Sequence, residues 1–249
     1  MIIYAKVAQD FLLPPLQLHE MRVCALFSGG KDSSYALHWA VLKGFEVPCL
    51  LTLRPAKVDS WMFHYPNISW TRYQAEAMGI PQVIHDTSGI KDLELEDLRE
   101  AFISVKRRFG VDGVVTGALL SDYQRMMINI VAKDVGLKVY SPLWRKNQVN
   151  YLRDLYRHGF RFVLTSINTM GLSPRLLGKV LTIDDIEYLI NSALRYGFNP
   201  ALEGGEGETF VVDAPLFKYE LLINDGEVRR LGEYSWVYII KSISLRPKA

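Results

Sequence analysis

The chain has 249 residues, 49% of them hydrophobic and 22% charged, which is enough apolar material for one large domain or two modest ones without staples. A formal net charge of +2 is too balanced for a protein that coats nucleic acid, and no apolar run is long enough to span a bilayer. The two cysteines, Cys24 and Cys49, each sit inside an apolar run, so they read as buried thiols and not as a disulfide or a metal pair.

Residues 1–20 carry Asp10, Glu20 and a Pro14–Pro15 break, with no small-residue cleavage site, so they do not read as a signal peptide. Met21 directly precedes the first convincing strand, and the segment before it reads as an upstream extension. A misplaced start codon and an edge element packed on the domain are both open explanations. RVCALF (22–27) is expected as a buried strand, DSSYALHWAVLK (32–43) as a helix ending at Gly44, and EVPCLLTL (46–53) as a second strand in which Pro48 marks a bulge or an edge. NISWTRYQAEAMG (67–79) reads as one helix, PQVIHD (81–86) as a third strand, and LELEDLREAFISVKRRFG (93–110) as a long amphipathic helix. DGVVTGALL (112–120) is a strand with a glycine at its carboxyl end, SDYQRMMINIVAKDVG (121–136) a helix, and KVYSPLW (138–144) closes the series. This alternation predicts an α/β fold with a doubly wound, mostly parallel sheet and right-handed crossovers.

After Trp144 the pattern changes. A helix–strand pair, QVNYLRDLYRHG and FRFVLTSIN (148–168), leads to a short helical stretch, the helix TIDDIEYLINSALRYG (182–197) and a glycine–acid loop. The tail alternates like a hairpin, with NDGE (224–227) read as its turn. A boundary near Pro142–Asn147 divides the chain into an extension (1–20), a nucleotide-binding domain (21–144) and a smaller α+β domain (145–249). No internal repeat or low-complexity segment is visible.

SGGKDS (28–33) joins the first strand to the first helix. Glycines let the chain turn and a ligand approach the backbone, successive N–H groups form an anion-binding concavity, and the helix adds its unpaired N–H groups. Lys31 adds a charge, and Ser28, Ser33 and Ser34 add hydroxyls. A purely structural tight turn is the alternative, as is a capping role for Asp32. Spacing excludes a Walker A loop and the G-x-G-x-x-G fingerprint. The motif resembles the pyrophosphate-binding loop of N-type ATP pyrophosphatases, which cleave ATP between the α- and β-phosphates and adenylate a substrate. That resemblance implies a fold of the adenine nucleotide alpha hydrolase type and gives Ser28, Gly29, Gly30, Asp32 and Ser33 to the pyrophosphate, with Lys31 nearby.

Three further stretches stand out: DSWMFHYPN (59–67) after the second strand, TGALLSDYQR (116–125) after the fourth, and EGGEGET (203–209). The first two fall at the carboxyl edge of the expected sheet, where ligands bind. Glu203, Glu206 and Glu208 form either a solvated acidic loop or a carboxylate set for Mg²⁺, ammonium or general-base work. Together the four stretches resemble the diphthine:ammonia ligases, ATP-dependent amidases that complete diphthamide on elongation factor 2. The likeness runs from Met21 onward through Ser28–Ser33, Asp59–His64, Gln74–Pro81, Gly117–Gln124, Pro142–Trp144 and Glu203–Thr209. It departs from the family at Met127 and Asn129, where members often have a basic residue and an acid.

The resemblance implies that diphthine, ammonia and ATP give diphthamide, AMP and pyrophosphate through an acyl-adenylate, with ATP and Mg²⁺ required. It assigns Asp32, Glu203, Glu206 and Glu208 to catalysis, Ser28–Ser33 and Gly117 to the nucleotide, and Trp61, Phe63, His64, Ser121, Tyr123, Gln124, Gly204, Gly205 and Thr209 to the substrate. The metal ligands stay open, with Asp32 the residue for Mg²⁺. Trp61, Phe63, Tyr123 and Trp144 are candidates for an aromatic face toward the quaternary ammonium of diphthine, with core packing the favoured reading of Trp144. A cytoplasmic enzyme is implied, with elongation factor 2 and ammonium as partners, no membrane, no stable nucleic-acid binding, and a homodimer left open. The rival readings are a tRNA-modifying ATP pyrophosphatase, disfavoured by the lack of a CxxC pair, and a nucleotide sensor, which has no use for the acidic loop.

Overall fold

The computed structural model describes residues 21–55, 65–88 and 93–248. The expectations for residues 1–20 and for Trp61, Phe63 and His64 lie outside the described residues. In chain order the first half runs β1 (Arg22–Leu26), α1 (Lys31–Leu42), β2 (Glu46–Pro55), α2 (Tyr65–Ile68), α3 (Thr71–Met78), β3 (Gln82–Thr87), α4 (Glu94–Phe109), β4 (Gly113–Val115), α5 (Asp122–Val135) and β5 (Lys138–Tyr140). The second half adds α6 (Gln148–Arg157), β6 (Arg161–Asn168), a 3₁₀ turn at Pro174–Leu176, α7 (Ile183–Tyr196), β7 (Gly207–Asp213), β8 (Tyr219–Arg230) and β9 (Ser235–Pro247).

The five strands of the first half pair in the order β3-β2-β1-β4-β5, all parallel. The chain therefore winds outward from β1 to β3 and then crosses to β4 on the other side. That reversal opens a crevice at the carboxyl ends of β1 and β4. Between Arg22 and Cys24 the β1 register advances two residues while β2 advances three, from Glu46 to Cys49. The extra residue is the bulge expected at Pro48, which has no N–H to give to a ladder.

Alternation along β1 sends Val23, Ala25 and Phe27 to one face and Cys24 to the other. On the Cys24 face α4 and α5 pack through Leu98, Phe102, Val105, Val131 and Ala132. Cys49 stands beside Cys24 in register, both are free and fully buried, and interaction with Cys49, reinforced by burial, pushes the Cys24 thiol well above its ordinary pKa. Helix α4 carries Glu94, Glu96 and Asp97 in its first turn and Lys106, Arg107 and Arg108 in its last, matching the helix dipole at both ends. Fully burying Phe102 contributes about 1.5–3 kcal/mol.

The opposite face of the sheet packs α1, and its core runs without a break into the second half through Tyr151, Leu152, Phe162, Leu164 and Phe210. There an antiparallel sheet is ordered β7-β6-β9-β8. NDGE does not form its turn: residues 224–227 lie inside β8, and the reversal falls between Arg230 and Ser235. Two register shifts, between Ile223 and Asp225 and between Asp225 and Gly226, absorb the Asp-Gly pair as a bulge in a ladder that continues past it. The helix expected over 67–79 is two short ones. Asn67 and Trp70 at the break bond instead to the β9 backbone, with Asn67 Nδ2 donating to Tyr238 O at 2.8 Å and Trp70 Nε1 to Ile240 O at 3.0 Å. No helix among the described residues is long and apolar enough to cross a membrane.

Candidate active site

At the end of β1 the chain turns through Gly29, whose φ of +80° only glycine adopts without strain. A side chain on Gly29 would also run into Gln74 and Thr71. Ser33 Oγ donates to Gly30 O at 3.1 Å and accepts from Ser28 N–H at 3.2 Å, folding the loop over the start of α1. The second half of the chain completes it. Thr209 Oγ1 on β7 accepts from Lys31 N–H at 3.1 Å, and Val211 N–H donates to Gly29 O at 3.0 Å. The fully buried Gln74 gives its Nε2 to both Gly29 O, at 2.9 Å, and Val211 O, at 2.7 Å.

Gly117 closes the opposite wall. A Cβ there would lie 2.5 Å from the Asp32 carbonyl carbon and 2.6 Å from Ser33 N, so the turn after β4 touches the first turn of α1 backbone to backbone.

Beside the loop lies a cavity of about 700 Å³. Its polar end is made by Ser28, Gly30–Ser33, Gly117, Glu203, Glu208 and Thr209, and its apolar end by Leu51, Leu53, Leu95, Leu98 and Ile128. A charged, donor-rich end joined to an apolar slot is the division a nucleotide needs. Tyr123 and Gln124 stand on its rim, on a helix capped by Ser121, whose Oγ accepts from Gln124 N–H at 3.2 Å. Tyr123 is 49% exposed. Trp144 does not line the cavity; its ring lies under the guanidinium groups of Arg125 and Arg145, 4.4 Å and 5.5 Å from the ring centroid.

Lys31 is 3% exposed, a burial a lysine tolerates only when paired. Its Nζ donates to Asp32 Oδ2 at 2.8 Å. The other oxygen, Oδ1, accepts from the Tyr151 hydroxyl at 2.8 Å. Glu203 stands beside the Asp32 charge in the cavity wall. Burial, reinforced by the Asp32 charge, pushes the Glu203 carboxyl up to about 7. A carboxyl raised in this way can take up and release a proton near neutral pH.

The three glutamates of the acidic loop are treated differently. Glu203 and Glu208 line the cavity. Glu206 turns into its own loop, where Oε1 accepts from Asn199 N–H at 3.0 Å and Oε2 from Gly204 N–H at 2.7 Å. Gly204 accordingly packs against the Glu206 carboxylate, while Gly205 lines the cavity with a φ of +87°. Leu202, directly before Glu203, has a φ of 62°, a conformation that costs a branched residue about 1–2 kcal/mol and is held by its bond to Asn199 O.

Among the described residues no group of three or more His, Cys, Asp and Glu side chains can hold a metal ion. Asp32, beside the glycine loop, is nonetheless a carboxylate that would suit Mg²⁺ when most of the metal's shell comes from nucleotide phosphates and water. Neither Tyr151 nor the bridging role of Gln74 was legible locally, since their partners lie 119 and 137 residues away.

Residues 21–139 match the profile of the diphthamide synthase N-terminal domain, and residues 147–245 that of the diphthamide synthase C-terminal domain. The chain belongs to the diphthamide synthase family. It is 36% identical to the diphthine--ammonia ligase of Homo sapiens over 84% of this chain and 85% of that one. It is 35% identical to the ligase of the same name from Bos taurus over the same shares. A longer diphthine--ammonia ligase from Schizosaccharomyces pombe is 31% identical over 92% of this chain and 40% of its own length. This member of the family is an enzyme of the ligase class.

Proposed function

We propose that the chain amidates diphthine on elongation factor 2 with ammonia, in the cytoplasm, converting ATP to AMP and pyrophosphate. The observation that carries the reading is the Asp32–Glu203 carboxyl pair set beside the glycine loop in one cavity that also has apolar lining. The diphthine carboxylate attacks the α-phosphate of ATP, forming an acyl-adenylate and expelling pyrophosphate. Backbone N–H groups of the 28–33 loop and the Lys31 ammonium stabilise the charge that collects on that leaving group. Mg²⁺, held by Asp32 together with the phosphates, would supply further charge neutralisation there.

Ammonia then attacks the acyl carbon. The nitrogen that becomes cationic gives its proton to Glu203, and AMP departs as the C–N bond is retained. A carboxyl group poised near neutrality suits this step, because it is ionised often enough to accept the proton and basic enough to keep it. Glu208 shares the cavity wall and is the second carboxylate available to hold ammonium. Tyr123 on the rim is the aromatic face for the quaternary ammonium. A thiolating tRNA enzyme is disfavoured because both cysteines are fully buried and neither lines the cavity.

The test incubates the protein with ATP, ammonium and diphthine-bearing elongation factor 2, following AMP release and the mass of the factor. Glu203→Gln should keep ATP–pyrophosphate exchange while diphthamide formation falls about 10²–10⁴-fold, the range for loss of a general base. No mass change with the unaltered protein would remove the substrate assignment, and full turnover by the variant would remove Glu203 from the proton transfer.

A further inference from the structure

We propose that Tyr151 is a positioning residue of this site: its hydroxyl fixes the Asp32 carboxylate in one orientation, leaving Glu203 as the carboxyl group free to turn toward the acceptor. The inference rests on the proposed reaction for its kinetic reading but on geometry for its content. Two carboxyl groups meet at the phosphate loop, and they differ in how they are held. Asp32 has a donor on each oxygen, Lys31 Nζ and Tyr151 OH, both at 2.8 Å. Glu203 lines the cavity with the Asp32 charge beside it. A carboxylate bonded on both oxygens cannot rotate about its Cβ–Cγ bond. Without the Tyr151 donor it can, and then either oxygen can be offered to Glu203 or to the phosphates.

Tyr151 is built for that one task. It is fully buried, and its ring meets Tyr35 edge-on, with centroids 5.4 Å apart and planes at 89°. The packing leaves the hydroxyl one direction to point. Packing alone would be served equally by phenylalanine. The residue also comes from α6, beyond the nucleotide-binding half, on a helix fixed by an Asn147 cap that accepts from Asn150 N–H at 3.0 Å. The orientation of a loop residue in the first half is thus set from the second.

The test compares Tyr151→Phe with Tyr35→Phe in the full chain. Tyr35 belongs to the same aromatic cluster, but its hydroxyl accepts from Lys146 Nζ at 2.9 Å and does not meet Asp32. Positioning predicts that Tyr151→Phe lowers kcat for diphthamide formation about 10- to 100-fold, the rate equivalent of one hydrogen bond to a charged group. The KM for ATP should stay within about threefold, and Tyr35→Phe should keep kcat within about twofold. Equal losses in the two variants, or an unchanged kcat in Tyr151→Phe, would reduce Tyr151 to packing. A crystal structure of Tyr151→Phe needs no turnover and reads the side chain directly. Asp32 should be rotated away from its native position, and an Asp32 unmoved in that structure overturns the proposal even if the substrate assignment itself fails.

Discussion

Replacing Gly117 by alanine tests the backbone contact that forms the back wall of the site. Gly117 does not need its freedom for a left-handed φ; it needs the absence of a Cβ. The added atom would sit 2.5 Å from the Asp32 carbonyl carbon, 2.6 Å from Ser33 N and 2.7 Å from Asp32 O, where ordinary contact begins at 3.4 Å. All three are main-chain atoms of the first turn of α1, so no side chain can swing aside. The turn after β4 and the start of α1 must separate by about 0.9 Å, at an overpacking cost of about 1–3 kcal/mol. For a chain of this size that lowers Tm by about 2–12 °C. The same displacement moves Asp32 and the loop N–H groups off the phosphates, and a misplacement near 1 Å costs about 10²-fold in rate. Calorimetric ATP binding, AMP release and a melting scan measure the three effects. Gly44→Ala is the control, since its φ of +81° is strained by any side chain but nothing lies within 4 Å; it should lower Tm and leave turnover alone. A Gly117→Ala enzyme with native Tm and turnover within threefold would refute the close-packing argument.

Stability should also fall in acid because of His38. Its Nδ1–H donates to Ser34 O at 2.7 Å and its Nε2 accepts from Leu216 N–H at 3.1 Å, so a second ring proton would face a donor, and burial lowers its pKa to about 4. The unfolded chain takes up that proton below about 6.5 and the folded one does not, so the stabilisation is intact above 6.5 and lost as pH falls toward 4. The loss approaches about 3 kcal/mol; urea midpoints between pH 7 and pH 4 should show it, and His38→Gln should flatten that part of the profile. Glu206→Ala removes the acceptor of two backbone N–H groups in a partly exposed loop, so it should cost about 1.5–3 kcal/mol and slow amidation while ATP affinity holds. An unshifted Tm in that variant would show that the loop does not depend on its internal carboxylate.

The parallel sheet was legible because each strand–helix unit solves its own burial problem, and the switch in apolar period marks it along the chain. The turn of the glycine loop was legible because it is local: six adjacent residues supply the glycines, the hydroxyls and the charge. The acidic loop was legible as a composition but not as an arrangement. Three glutamates within six residues look alike in sequence, and only the folded loop separates Glu206, which ties its own backbone, from Glu203 beside Asp32. NDGE misled because Asp-Gly suits both a hairpin turn and a bulge, and the choice depends on which strand lies opposite. Tyr151 carried no local signal, since nothing in QVNYLRDLYRHG distinguishes a tyrosine that packs from one that also donates to Asp32.

Strand β7 supplies the last bonds of the phosphate loop, and this fixes an order of events during synthesis. The loop is among the first segments of the fold to leave the ribosome, yet the Thr209 hydroxyl that receives Lys31 N–H follows it by 178 residues, and Val211, which bonds Gly29 O, comes later still. Until both have emerged, the glycine turn has no strap across it and the Gln74 amide lacks one of its two carbonyls. A nascent chain therefore carries an unfinished glycine loop through most of its elongation, and the loop is strapped in the same stretch of translation that brings out Glu203, Glu206 and Glu208.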